Sequence, residues 1–247
     1  MVNDILRRLL GGGALVMAFA ATAATAAWPT QALPPNSSKF DVGSDMNVSG
    51  LPMRIRGFVS PSPRDEVAAW FRRSMGSPVV ENQLGDKLVL GQARGEFYVT
   101  VQLEAQTGGT RGMVAISHLK AAADRSDATA EATQRLLDRL PSGTRILEQV
   151  SSRDGQQMSR YIMFSNRNGE SVNRDRIARM MQADGMHLER EDQVSGQVAD
   201  NPKAMLANGR SLWFKGRGKE AIVILGRNPQ GDSVVVLNTV TLMEQLK

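Results

Sequence analysis

The chain has 247 residues, a formal net charge of +5, no cysteine, two histidines and 5% aromatic residues. Without cysteine there is no disulfide framework, no thiol nucleophile and no lipid-acceptor site. A basic balance favours anionic partners, but so few aromatic stacking platforms disfavour single-stranded nucleic acid, and nucleic acid is not an expected partner.

The opening MVNDILRR places Arg7 and Arg8 ahead of the uncharged run LLGGGALVMAFAATAATAA. A basic start, an apolar run and small residues at Ala24 and Ala26 make residues 1–26 a secretory signal peptide, cut after Ala26 or, as the close second, after Ala27. Its strongly apolar part is short for a span of roughly 20 residues, so a retained anchor is the weaker alternative. The expected mature chain is periplasmic or secreted, with no membrane span after signal removal. It stays basic, because only Arg7, Arg8 and Asp4 are lost with the signal.

Residues 27–46 are rich in Pro, Ser and Asn and lack a period, which predicts a flexible leader. A first unit follows over 47–120. MRIRGFV, residues 53–59, alternates Met53, Ile55 and Gly57 against Arg54 and Arg56, predicting a strand with the arginines on its wet face. SPRDEVAAWFRRSMG predicts a helix capped by Ser62, with Pro63 in its first turn, Asp65 completing a capping box, an apolar face of Val67, Trp70, Phe71 and Met75, and Gly76 as its stop. Four short extended runs with glycine-containing turns then predict an antiparallel meander, clearest in EFYVTVQLEA, where Phe97, Val99, Val101 and Leu103 alternate with polar residues.

KAAADRSDATAEATQRLLDRLPSG predicts a linker helix over 121–143, capped by Ser126 or Asp127, with Ala132, Leu136, Leu137 and Leu140 on one face. The segment after it predicts a hairpin turning at Asp154-Gly155. The second unit, 144–247, then repeats the order: a strand at 160–166, a helix with Ile177, Met180 and Met181 facing inward and Gly185 at its end, and four more strands. KLVLGQARGEFYVTV matches SLWFKGRGKEAIVIL without a gap, pairing Leu88 with Leu212, Glu96 with Glu220 and Val99 with Val223. The expected fold is α+β: a tandem duplication of a small strand-helix-antiparallel-meander unit, giving two lobes joined by a helix. The spacing grows from about 110 to about 124 residues, which implies an insertion near 193–209 in the second copy. Inserted loops on a rigid scaffold are frequent carriers of binding specificity.

Little chemistry is legible. Gly-x-Ser-x-Gly and His-Glu-x-x-His are absent, and FKGRGKEA lacks the hydroxyl residue and upstream glycine of a phosphate loop. Asp65, Glu66, Asp184, Glu189 and Glu191 offer carboxylates, but nothing in their spacing fixes a hydrolase pair. His118 matches Val240, which favours a packing role. In GMHLERE, strand alternation predicts His187, Glu189 and Glu191 on one wet face; alternate residues on a strand lie nearly 7 Å apart, too far for all three to meet one metal without a bend. No cofactor or metal is implied.

Arginines are more systematic. Arg54, Arg56, Arg64, Arg72 and Arg73 lie in the first unit, and Arg160, Arg167, Arg174, Arg176 and Arg179 at the matching strand and helix of the second. The candidate binding surface is Arg54, Arg56, Arg72, Arg73, Arg176 and Arg179 with His187, Glu189 and Glu191. The expected function is a non-catalytic exported protein that binds another cell-envelope component, such as a factor accessory to a secretion or surface assembly. One alternative is a binder of anionic glycan or lipid headgroups through the arginine faces, and a third is a hydrolase or metalloprotein near His187.

Overall fold

A computed structural model describes residues 27–194 and 209–243. The signal segment 1–26 and nearly all of the insertion expected at 193–209 lie outside the described residues. The elements in chain order are β1 (Ser38–Val48), β2 (Leu51–Ser60), α1 (Arg64–Met75), β3 (Val80–Leu84), β4 (Lys87–Arg94), β5 (Phe97–Gln106) and β6 (Gly109–His118). Then come α2 (Leu119–Asp124), α3 (Ser126–Leu137), β7 (Arg145–Asp154), β8 (Gln157–Asn166), α4 (Glu170–Ala183), β9 (Met186–Val194), β10 (Gly209–Gly216), β11 (Lys219–Arg227) and β12 (Ser233–Leu242).

The fold is mixed α+β, built on one large antiparallel sheet whose strand order is β3-β4-β5-β6-β2-β1-β7-β8-β12-β11-β10-β9. Each half runs through a hairpin, a helix and a four-stranded meander whose last strand returns to the hairpin. The two sheets expected for separate lobes are in fact continuous. Met46 pairs with Ser152, Asn47 with Ser151 and Val48 with Val150, so β1 and β7 zip the halves together. Two buried clusters pack on this sheet. Phe58, Val67, Phe71, Leu90, Val99, Val101 and Leu103 form one buried cluster. Phe164, Ile177, Met181, Leu212, Val223 and Leu225 anchor the other.

Both cores lie on the same face of the sheet. Residues paired across antiparallel strands share a face, and Met53 pairs with Met46, Met46 with Ser152, and Ser152 with Ser159. Met53 alternates with core-facing Phe58, and Ser159 with core-facing Ile162 and Phe164, so one face carries both clusters across the seam.

The helices follow from spacing and stop signals. Val67, Phe71 and Met75 recur every fourth residue and are buried, and glycines of positive φ follow both major helices, Gly76 at 76° and Gly185 at 80°. The capping box expected from Ser62 does not form. Pro63 is the N-cap residue, with no side-chain cap bond. The Ser62 N–H instead donates to Ser60 Oγ at 3.2 Å, and its carbonyl accepts the Thr110 hydroxyl at 2.8 Å. Asp65 and Glu66 still sit in the first turn, where the helix dipole favours them.

Two further expectations are corrected. The stretch 27–46 is no flexible leader: Ser38 onward is strand β1, and Trp28 and Leu33 pack on the first core. Two register shifts in β1, between Asp41 and Gly43 and between Gly43 and Met46, break the period that would have revealed it. The ring of Phe40 lies so close over Gly57 that a Cβ there would fall 2.0 Å from it. The expected single linker helix is two, α2 and α3, without the Ser126 or Asp127 cap. No residue of α3 is fully buried; Leu136, within it, packs partly buried on the second core, and Leu140, beyond it, is buried there.

Candidate functional site

The GMHLERE segment folds differently from simple alternation. Phe214 pairs with Leu188 but Trp213 with Arg190, so Glu189 is an extra residue in a bulge. Past the bulge the faces exchange. His187, opposite Lys215, remains exposed on the face away from the cores, whereas Glu191 pairs with Leu212 and turns to the helix-bearing side. The expected shared face of His187, Glu189 and Glu191 therefore does not exist. Among the described residues, no group of three or more metal-ligating side chains is close enough to hold an ion.

Glu191 has a structural role instead. Arg174 of α4 donates to its Oε2 at 2.8 Å, and Arg210 of β10 donates to its Oε1. Arg210 also donates to Oε1 of Glu170 at 2.8 Å, in the first turn of α4. The hydrogen bond from Arg174, then that from Arg210, holds the Glu191 carboxyl below its ordinary range. The same contacts raise both guanidinium groups. These ties fix α4 to β9 and β10; neither Glu170 nor Arg210 stood out in the sequence.

Other predicted arginines are also engaged. Arg72 grips Glu81 through two bonds of 2.6 and 2.8 Å, and Arg176 donates to the carbonyls of Arg139 and Asp138 at 2.8 and 2.9 Å, closing the turn after α3. Arg73 and Arg179 are exposed, and Arg179 lines a groove between α4 and β9 with His187.

Arg54 and Arg56 are different. They lie on the face that carries Phe58, not on an opposite wet face, because Arg54 pairs with Ile116 and Arg56 with Val114, both core residues. The N-terminal segment crosses this region. The Arg54 guanidinium sits 4.5 Å from the Trp28 ring centroid, and Trp28 in turn contacts Phe97 and His118 at 5.2 and 5.6 Å. Buried Gln31 holds the segment down through Arg94 at 2.7 Å and Ser74 at 3.2 Å. A cleft of about 180 Å³ results, with Trp28, Pro29, Gln31, Asp41, Arg54, Arg56, Val114 and Ile116 in its walls. Among the described residues, no carboxylate lies within ion-pair distance of either arginine, although Asp41 is the cross-strand neighbour of Arg56.

The sheet face away from the cores carries an apolar belt. Met53, Ile55, Met113, Tyr161, Met163, Val236, Ile222, Ile224 and Trp213 are half-buried there, and at the β3 edge Val80 and Leu84 are 64% and 63% exposed. The cross-strand pairs Met163 with Val236 and Val236 with Ile224 run the belt across three strands. Among the described residues, neither core cluster nor its helix packs on this face, and no helix is long and apolar enough to cross a membrane.

No protein-family model matches the chain. No curated protein matches it either. Among solved structures, the apo structure of immunity protein TplEi of the T6SS from Pseudomonas aeruginosa is similar at a TM-score of 0.29 and 12% identity, over 85% of this chain and 83% of that one. A likeness of that size carries no argument about function.

Proposed function

We propose that the protein is a non-catalytic, exported binding protein whose partner is another protein of the cell envelope. The observation that carries this reading is the apolar belt on the open face. An antiparallel sheet with one wet face alternates apolar and polar residues. Here EAIVIL and SVVVL run apolar on both sides, placing Ile222, Ile224 and Val236 opposite the buried Val223, Leu225, Val235 and Leu237. Strands of that composition belong where both faces are covered, and a contiguous apolar patch rimmed by charge marks a protein-binding surface. The rim is present in Lys87, Glu104, Arg111, Lys215 and Glu220, and Arg190 stacks 4.5 Å over Trp213. The two halves, with matching element order and matched cores, are read as a tandem duplication that doubles the width of this face.

The test is capture of a partner from the native envelope by the mature chain, in parallel with a Met163→Glu/Ile222→Lys variant. Wild type is expected to retain a specific protein that the variant loses while keeping its circular dichroism. A wild-type chain that migrates alone, or equal capture by both, contradicts the reading. Sequencing the N-terminus of the secreted chain tests export; the expected first residue is Ala27, or Trp28 if the cut falls one residue later.

A further inference from the structure

The Arg54–Arg56 cleft lies on the helix-bearing face, away from the apolar belt, and has the parts of a receptor for one acidic side chain. Its two guanidinium groups arise from alternate residues of β2, roughly 7 Å apart at their Cα atoms, so both forks can reach a single carboxylate. Arg54 is already oriented by its 4.5 Å contact with the Trp28 ring. That contact lowers the conformational freedom lost on binding and leaves the donor edge of the guanidinium open. The rest of the wall is part apolar, from Trp28, Pro29, Val114 and Ile116, and part polar, from Thr30, Gln31, Asp41 and Ser44.

Volume and charge choose the occupant. At about 180 Å³ the cleft is smaller than the roughly 300 Å³ at which small-molecule and cofactor sites begin. It suits a single anchoring side chain, the usual content of a hot-spot pocket. Of the charged groups in its walls, Arg54 and Arg56 outnumber Asp41, so the local field favours an anion. The apolar part of the wall suits an anion that carries methylenes, whereas inorganic phosphate or a lipid phosphate would leave that part wet. We propose that this cleft receives a glutamate or aspartate side chain of a protein partner, its carboxylate held by Arg54 and Arg56 and its methylenes sheltered by Trp28, Val114 and Ile116. The proposal rests on the protein-binding reading but names a second contact on a different face.

The experiment uses the mature chain labelled with nitrogen-15 and the capped tripeptide acetyl-Ala-Glu-Val-amide, with acetyl-Ala-Gln-Val-amide as its neutral twin. Saturable shifts of the Trp28 indole N–H and of the Arg54 and Arg56 Nε–H signals are expected with the glutamate peptide only. They should weaken with added salt. Arg56→Gln is expected to reduce affinity roughly tenfold, and Arg54→Lys, which keeps the charge but loses the planar fork, severalfold. Arg56→Gln touches no aromatic ring of the site, so it remains informative if Arg54 variants loosen Trp28. The proposal is overturned if the glutamine peptide shifts the same signals, if neither peptide does, or if inorganic phosphate or phosphatidylglycerol vesicles saturate the site below the peptide's concentration. The Met163→Glu/Ile222→Lys variant should bind the peptide unchanged. Loss of partner capture together with retained peptide binding would separate the fate of the open-face reading from that of the cleft.

Discussion

The two major helices meet the sheet through equivalent positions, and one of those positions is solved in opposite ways. The fourth, eighth and twelfth residues of α1 are Val67, Phe71 and Met75; those of α4 are Asn173, Ile177 and Met181, and all six are buried. Valine at the fourth position needs only contact. Asparagine at the same depth needs partners, and Asn166 at the end of β8 supplies them: its Nδ2 donates to Asn173 Oδ1 at 2.8 Å, and Asn173 Nδ2 donates to Asn166 Oδ1 at 3.0 Å. The corresponding end of β2 is Ser60, buried and bonded to the Ser62 N–H. The first half thus closes its helix start by apolar packing. The second closes it with a reciprocal amide pair, which adds orientation and makes loss of either partner costly.

The largest expected effect comes from the residue the halves share. Phe58 and Phe164 are both 0% exposed and precede their helices at the same distance. Alanine at either should cost about 3–5 kcal/mol of unfolding free energy, from lost transfer energy and a cavity. Hydrogen exchange read separately over the two halves sharpens the comparison. If the cores are independent, Phe58→Ala exposes amides of β2 to β6 while leaving β8 to β12 protected. Equal loss in both halves would mean that the β1–β7 seam couples them into one cooperative unit.

The next effect addresses the amide pair. Asn173→Ala leaves both polar groups of buried Asn166 without that partner and should cost about 2 kcal/mol. Replacing both residues by the first half's solution, Asn166→Ser with Asn173→Val, is expected to restore most of that loss, as read from a double-mutant cycle in urea. A double variant weaker than the sum of its singles would show that the halves are not interchangeable at this position.

Sequence legibility followed the same division between contact and partnership. Period-two and fourth-residue apolar spacing located β2, β5, α1 and α4, because burial of one face is written in a local pattern. β1 was invisible because two bulges and small polar residues break its period, and Trp28 in a proline-rich stretch was the one sign that this segment is held down. A bulge also defeated the reading of Glu189 and Glu191, since one extra residue reverses every later side chain. The ungapped match of KLVLGQARGEFYVTV with SLWFKGRGKEAIVIL slips against the register. The first hairpin turns at Gly95-Glu96 and the second at Arg217-Gly218, two positions earlier than Glu96 on Glu220 implies. A two-residue slip preserves strand faces, which is why the hydrophobic match survived it. The polar contacts Arg210–Glu170 and Arg94–Gln31 join segments 40 and 63 residues apart, and Asn166–Asn173, though only seven residues apart, spans a strand end and a helix start. Neither helical nor strand periodicity encodes such pairs.

The smallest effect expected tests what fixes α4 to its edge strands. Exposed Arg72–Glu81 is the first half's link between helix and edge strand, whereas Glu191 joins two arginines and is more sheltered, its side chain 22% exposed against 38% for Glu81. Glu191→Gln keeps the shape and removes the charge, and at neutral pH should cost roughly 1 kcal/mol, near the upper end for partly exposed pairs. The pH dependence distinguishes charge from shape. Because the hydrogen bonds from Arg174 and Arg210 lower the folded-state value of Glu191, its contribution is fully present above the unfolded carboxylate value of about 4.3 and fades as pH falls through the lower folded value. The stability gap between wild type and Glu191→Gln should therefore stay constant from neutral pH to about 5 and close below that range. A gap that persists at pH 2 would assign the role of Glu191 to packing beside Leu212 rather than to its bonds with Arg174 and Arg210.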